Sequence, residues 1–173
     1  MNVAIIIPPK DFRDETVTSA LQILSRWGVT SAVASTTLGE CIGYHGARLN
    51  SVFSVPEITT ENFDAIFISD GMGVDSFKLY DSRQLLDVLK HFNSKKKPIA
   101  CVGNAIKILA RANVINNIKI ASVKEPETSR LVRLFRGIIT NNEIEACENI
   151  LTSSNSNSIT NLVDALLDRL NVR

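Results

Sequence analysis

The sequence predicts an α/β fold in which helices cover both faces of a mostly parallel sheet. Two observations support this prediction. Short, continuously apolar runs recur along the chain, as expected of strands that are buried on both faces. These runs alternate with segments of helical periodicity, which is typical of βαβ units. Since such crossovers are right-handed, we predict a three-layer α/β/α sandwich of the flavodoxin-like kind, formed by residues 1–173 as a single domain.

The first two elements show the pattern. Residues 3–7 (Val-Ala-Ile-Ile-Ile) form a β-branched run, and residues 16–27 carry an apolar stripe at helical spacing. The later elements repeat the alternation. For residues 124–135 the sequence indicates a helical turn and no further element. We predict further strands at 29–35, 64–68, 98–102 and 118–122, two late strands at 137–140 and 149–152, helices at 82–92, 104–112 and 159–170, and a small hairpin within 36–54.

The chain is organised around residues 98–112, which we interpret as a strand, a sharp turn and a helix. Gly103 can adopt the positive φ that such a turn requires, and Asn104 is a good helix N-cap. In several hydrolase folds this elbow carries the nucleophile. Here the residue at the corner has no side chain.

Composition and charge exclude several classes of protein. Because the formal net charge is +1, there is no general reason to expect nucleic acid or a membrane surface as a partner. Cys41, Cys101 and Cys147 form no CxxC pair, and the chain has two histidines, so we expect reduced thiols, no zinc site and a cytoplasmic location. There is no GxGxxG motif and no P-loop, so we expect no cofactor.

Four segments, in order, resemble the DJ-1/PfpI (ThiJ) superfamily, whose fold is like that of class I glutamine amidotransferases. They are 11–17 (Asp-Phe-Arg-Asp-Glu-Thr-Val), a middle section made of 43–46 (Gly-Tyr-His-Gly) and 61–71 (Glu-Asn-Phe-Asp-Ala-Ile-Phe-Ile-Ser-Asp-Gly), the elbow at 98–112, and the late strand and loop at 149–158. The resemblance covers most of the chain. It implies a homo-oligomer, in most members a homodimer, and a site at the carboxyl ends of the strands.

The chain departs from the family pattern where the chemistry would be. The family's Cys-His-Gly at the elbow is Gly103-Asn104-Ala105, and its Leu-Pro-Gly-Gly is 68–71, Ile-Ser-Asp-Gly. By the resemblance, Glu15 falls on the glutamate that stands beside the family's cysteine, and Gly71 on an amide donor. A thiolate attack at the elbow requires a thiol, which residue 103 does not have.

The candidate site is a pocket formed by Glu15, Asp70, Gly71, Gly103 and Asn104, without a metal. Glu15 either lines this pocket or only favours the first turn of a helix. Asp70 either caps a turn through an Asx bond or faces the pocket with Glu15. Cys101 lies two residues before the corner and is either a buried structural thiol or a displaced nucleophile.

Three hypotheses about function follow. The first is a DJ-1/PfpI-like protein that has lost cysteine-based catalysis and binds a small polar ligand or a protein partner. The second is a divergent glyoxalase-like or amidase-like hydrolase that uses Cys101 or no thiol. The third is a signalling receiver domain, which Asp70 and 124–126 (Lys-Glu-Pro) imitate, although a receiver's acidic pair after strand one is Pro8-Pro9 here.

Overall fold

The computed structural model describes all of residues 1–173, which form twelve strands and six α-helices. The strands are β1 (Asn2–Ile6), β2 (Lys10–Phe12), β3 (Thr30–Ser35), β4 (Gly39–Gly43), β5 (Arg48–Ser51), β6 (Phe53–Ser54), β7 (Ala65–Ile68), β8 (Ile99–Val102), β9 (Lys119–Ala121), β10 (Ile138–Thr140), β11 (Ile144–Cys147) and β12 (Ile150–Ser153). The helices are α1 (Asp14–Arg26), α2 (Met72–Ser76), α3 (Arg83–Ser94), α4 (Ile106–Arg111), α5 (Pro126–Leu134) and α6 (Ile159–Arg169).

Seven strands form the central sheet, in the order β11-β12-β8-β7-β1-β3-β6. All neighbours are parallel except β11, which runs antiparallel to β12 at one edge. One face packs against α3, α4 and α5, and the other against α1 and α6. The predicted three-layer α/β/α sandwich is therefore confirmed. No helix is both long enough and apolar enough to cross a membrane.

Two smaller sheets flank the central one. The predicted hairpin within 36–54 is formed by β4 and β5, and β2 pairs with β4 to make a three-stranded sheet. Strands β9 and β10 pair with each other in parallel. The two late strands that we predicted, β10 and β12, therefore do not pair with each other. Instead β12 lies between β8 and β11, because its four buried residues belong in the centre of the sheet.

The parallel topology brings four chain segments to one edge of the sheet. These are the segments that follow β1, β7, β8 and β12, as expected for strands that share a direction. The segment after β8 is the elbow predicted at 98–112. The open segment 124–135 contains α5, a nine-residue helix that begins with Pro126.

Candidate functional site

The elbow lies at the end of β8. Gly103 has a φ of +55°, so the positive φ predicted for this corner is confirmed. Residues Gly103–Ala105 form a 3₁₀ turn, and α4 follows directly. The turn places residue 103 at the carboxyl edge, next to the end of β7.

The carboxyl group of Asp70 lies over Gly103. A Cβ on residue 103 would be 3.2 Å from both Cβ and Oδ2 of Asp70. The Thr16 hydroxyl donates a 2.8 Å hydrogen bond to Oδ1 of Asp70, and Arg13 Nε lies 3.0 Å from Oδ2. Asp70 thus forms an ion pair over the elbow and is 4% exposed. Burial raises the pKa of the Asp70 carboxyl, although the Thr16 hydrogen bond and the Arg13 charge oppose that rise.

Arg13 is a site residue that the sequence interpretation missed. Its guanidinium contacts Asp70 on one side and the Ser156 hydroxyl on the other, at 3.4 Å from Nη1. The backbone amide of Arg13 also donates to the Asp70 carbonyl at 3.0 Å. One signal was available: a cation directly before a helix N-terminus is unfavourable next to the helix dipole, which suggests a partner elsewhere in the fold.

Asn104 is not the helix N-cap that we predicted. Its side chain reaches across to the end of β7, where Oδ1 accepts from the Gly71 amide at 3.1 Å and Nδ2 donates to the Gly71 carbonyl at 2.8 Å. Nδ2 also lies 3.2 Å from Asp75 Oδ2. Because the chain enters a 3₁₀ turn before α4, the Asn104 side chain faces the neighbouring loop and not the amides of the helix. Asn104 therefore fastens the elbow to Gly71.

Gly71 is held closely on its other side as well. It has a φ of +140°, and a Cβ there would lie 2.4 Å from the carbonyl oxygen of Asp11. Only glycine fits between this loop and the segment that follows β1. This close packing of Gly71 against the segment that follows β1 places Arg13 beside Asp70.

Glu15 lies on the first turn of α1 but outside the cleft at the elbow. Its side chain is 53% exposed, and its nearest charged partner is Arg13 Nη1 at 3.5 Å. It lines a neighbouring pocket of about 170 Å³ with Tyr44 and His45, and this pocket shares Arg13, Gly71 and Met72 with the cleft at the elbow. The structure thus brings together Asp70, Gly71, Gly103 and Asn104, but not Glu15.

Cys101 is completely buried in the core on the α3 and α4 face. Burial, together with the nearby Asp70 charge, raises the pKa of its thiol well above the ordinary value. Cys41 is also buried, and burial raises its thiol pKa. Cys147 is half-buried on the edge strand β11. None of these thiols lies in the cleft beside the elbow.

The elbow cleft is an open space of about 410 Å³ above Gly103. We use this name for the space between the elbow, the Asp70–Met72 segment and the loop 154–157. Its lining is mostly polar and consists of Arg13, Asp70, Gly71, Met72, Asp75, Gly103, Asn104, Val123, Glu125, Ser154, Asn155, Ser156 and Asn157.

A buried lysine lies behind Asp75 and Glu125, two carboxylates that line the elbow cleft. Lys107, on α4, has no exposed surface and donates to Asp75, while carboxylate oxygens of Glu125 and Glu127 each lie 3.8 Å from its Nζ. Burial alone would lower the pKa of Lys107, but the three carboxylates outweigh it and the pKa is raised. Lys107 is therefore a fixed cation, not a nucleophile. No group of three or more His, Cys, Asp or Glu side chains is arranged to hold a metal ion.

This fold and elbow define a class of proteins, and the comparisons with known proteins place the chain in it. The model of the DJ-1/PfpI family matches residues 1–169, so the chain belongs to the DJ-1/PfpI family. The chain's membership of this family argues against the receiver-domain hypothesis, and so does the ion pair between Arg13 and the buried Asp70.

Two relatives and one solved structure illustrate the match. The chain is 26% identical over 151 residues to an uncharacterized protein of Methanocaldococcus jannaschii, covering 87% of this chain and 73% of that protein. It is 25% identical over 111 residues to a deglycase of Pyrococcus abyssi, covering 64% and 66%. The fold matches a ThiJ/PfpI domain protein from Brachyspira murdochii with a TM-score of 0.92 and 23% identity, over 99% and 97% of the two chains.

Proposed function

We propose that this protein works without cysteine-based catalysis and binds a small polar ligand in the elbow cleft. The observation that carries the proposal is the position of Asp70. Its carboxylate, held by Arg13 and Thr16, lies 3.2 Å from the position where the Cβ of an elbow nucleophile would be, and therefore crowds that position. Because Gly103 has no side chain and Cys101 is buried, the cleft offers no thiol to a substrate.

The lining of the cleft indicates the chemistry of the ligand. Asn155 and Asn157, with two serines of the same loop, offer hydrogen-bond donors and acceptors opposite Asn104. Met72 and Val123 are its only aliphatic side chains, so little apolar surface is available for a hydrophobic ligand. Since a volume of about 410 Å³ suits a small molecule, we infer a compact ligand that is recognised mainly by hydrogen bonds.

Arg13 supplies a cation for a negatively charged group of the ligand. Nε is engaged with Asp70, and Nη1 is near Ser156 and Glu15, but Nη2 makes no hydrogen bond. The guanidinium is half-exposed, so a ligand can reach it without displacing Asp70. A carboxylate is the group whose geometry this remaining edge of the guanidinium fits best.

A ligand-observed NMR screen tests the proposal. The library should pair small carboxylates with their uncharged amides, and hits should be followed by the backbone amide shifts of Asn104 and Asn155. We expect carboxylates to bind more tightly than their amides, and Asn155→Ala to weaken binding. The matched control is Asn116→Ala, an exposed asparagine outside the cleft. Shift changes confined to residues away from the cleft would contradict the proposal.

The enzyme alternative is tested in the same preparation. The relative named as a deglycase makes dicarbonyl-modified amines and thiols the substrates to try. Our proposal predicts that the protein does not accelerate these reactions above their uncatalysed rate in buffer. Turnover that Cys101→Ser abolishes would indicate a displaced thiol, and turnover that only Asp70→Ala abolishes would indicate a non-thiol enzyme. Light scattering on the same sample tests the homodimer that the family resemblance implies.

A further inference from the structure

A second groove lies between α5 and the end of β10. We call it the basic groove, and it encloses about 600 Å³. Three cations border it, together with hydroxyl and amide groups that can donate hydrogen bonds. These residues are Lys124, Arg130, Arg133, Ser129, Thr140 and Asn141.

The three cations of the basic groove have no partner within the protein. None of them takes part in a salt bridge or a side-chain hydrogen bond. By contrast, Arg48 and Arg111 each lie within 3.0 Å of a carboxylate oxygen. Three cations without an ion-pair partner are thus grouped on this surface.

The acidic residue in the groove, Glu125, forms no ion pair with these cations. Glu125 accepts a 2.8 Å hydrogen bond from the Thr128 hydroxyl and faces Lys107 at 3.8 Å. Glu127, the other carboxylate at the start of α5, also faces Lys107. Lys107 shares its single charge with these carboxylates and Asp75, and neither Glu125 nor Glu127 forms an ion pair with a groove cation.

The backbone around the groove is well fixed. Arg130 and Arg133 are one turn apart on α5, so they share a face of the helix. The opposite face of α5 is anchored by Leu131 and Val132, which are buried in the core. The helix backbone that carries Arg130 and Arg133 is therefore fixed, and binding has to order only their exposed side chains.

We propose that the basic groove binds a small phosphorylated ligand that carries two or more phosphate groups. Two guanidinium groups and one ammonium match several phosphate oxygens, and arginine in particular binds phosphate through two parallel hydrogen bonds. The volume suits a small molecule. This site is separate from the proposed ligand site: Val123 and Glu125 line both spaces, but the three cations line only the basic groove.

Titration calorimetry with inorganic tripolyphosphate tests the proposal. We expect saturable binding that is about tenfold weaker for Arg130→Gln/Arg133→Gln, and weaker at 200 mM than at 50 mM salt. The matched control is Arg26→Gln/Arg83→Gln, which removes two exposed, unpaired arginines elsewhere with the same change of net charge. We expect the control to bind within about twofold of the unaltered protein. Since all four positions are exposed, the variants should fold normally.

Three outcomes would overturn the proposal. One is the absence of saturable binding. Another is an equal loss in both double variants, which would indicate a general charge effect. The third is tight binding of a DNA duplex that depends on Arg130 and Arg133 while tripolyphosphate fails to bind. Asn155→Ala, which is expected to weaken ligand binding in the elbow cleft, should leave the affinity for tripolyphosphate unchanged. Failure of one proposal can therefore be distinguished from failure of the other.

Discussion

The carboxyl group of Asp70 lies so close to Gly103 that a Cβ on residue 103 would be 3.2 Å from its Oδ2. These two residues follow neighbouring parallel strands, β7 and β8. The glycine and the aspartate therefore form one unit, because a side chain at the elbow would be in tight contact with the carboxylate. The following predictions test this unit and the contacts that hold it.

The first prediction concerns the space above the elbow. Gly103→Ala should destabilise the protein by about 1–2 kcal/mol from the left-handed backbone alone, with a further cost from the contact with Asp70. Gly28→Ala is the matched control, because Gly28 has a φ of +70° but no atom within 4 Å of its Cβ position. Urea unfolding of Gly103→Ala, Asp70→Ala and the double variant should reveal coupling of at least about 0.5 kcal/mol. Strictly additive effects would show that the two residues do not share this space.

The second prediction concerns pH. Because the pKa of Asp70 is raised on folding, its contribution to stability is complete below its ordinary pKa of 3.8 and is lost as the pH rises through the folded value. Asp70→Asn keeps an acceptor for Thr16 but does not titrate. The free energy of unfolding of Asp70→Asn, relative to the unaltered protein, should therefore increase with pH between the ordinary and the folded pKa, with a slope of at most about 1.4 kcal/mol per pH unit. Urea unfolding from pH 3 to pH 7 measures this difference.

Asp14→Asn is the control for this titration. Burial would raise the pKa of Asp14, but hydrogen bonds from the backbone amides of His45 and Ala47, both 2.8 Å, outweigh burial and lower it. Its contribution is present above the ordinary pKa and is lost as the pH falls. The stability of Asp14→Asn relative to the unaltered protein should thus decrease with rising pH. If Asp70→Asn followed the same direction as Asp14→Asn, the burial of the Asp70 charge would be refuted.

The third prediction concerns the link between the elbow and the β7 loop. Asn104→Ala removes both hydrogen bonds to Gly71 and should cost about 1–3 kcal/mol, because the backbone groups of Gly71 lose their partners. Asn157→Ala is the control, since the Asn157 side chain is exposed and makes no hydrogen bond within the protein. Thermal or urea unfolding compares the two variants. Equal stability of the two would show that Asn104 does not fasten the elbow.

The fourth prediction restores a thiol to the corner. In Gly103→Cys the thiol would face the Asp70 carboxylate, which disfavours the thiolate. In Gly103→Cys/Asp70→Ala the nearest charge would be the Arg13 guanidinium, so the thiol pKa should fall below the ordinary value of about 8.5. The rate of iodoacetamide labelling against pH, with the site mapped by mass spectrometry, gives both values. A thiol pKa of about 8.5 in both variants would mean that residue 103 is not at the elbow.

The central elements could be predicted because their signals are local. The apolar run of β1 and the positive φ at Gly103 depend on residues that are adjacent in the sequence. Strands β2 and β11 gave no comparable signal. Strand β2 has three residues of which one is buried, and β11 is an edge strand without a fully buried residue. Their pairing is decided by contacts with distant strands.

The site was only partly predictable for the same reason. Asp70, Gly71, Gly103 and Asn104 follow two strands whose ends a parallel sheet must bring together, so their proximity could be inferred. The hydrogen-bond and ion-pair partners of these residues could not be inferred. Asn104 bonds to Gly71 because the chain enters a 3₁₀ turn first, and Arg13 pairs with Asp70 through tertiary packing. The placement of Glu15 rested on the family resemblance, and in the structure its side chain lies outside the elbow cleft.

The measurement that tests the central claim most directly is the thiol reactivity of the unaltered protein as a function of pH. Limiting iodoacetamide should be used, with the labelled sites mapped by mass spectrometry and Cys101→Ser analysed beside it. We predict that the half-buried Cys147 is labelled first, and that Cys101 and Cys41 stay protected until the protein unfolds. Fast labelling of Cys101 with an apparent pKa below about 8 would contradict the claim that this family member works without a reactive thiol.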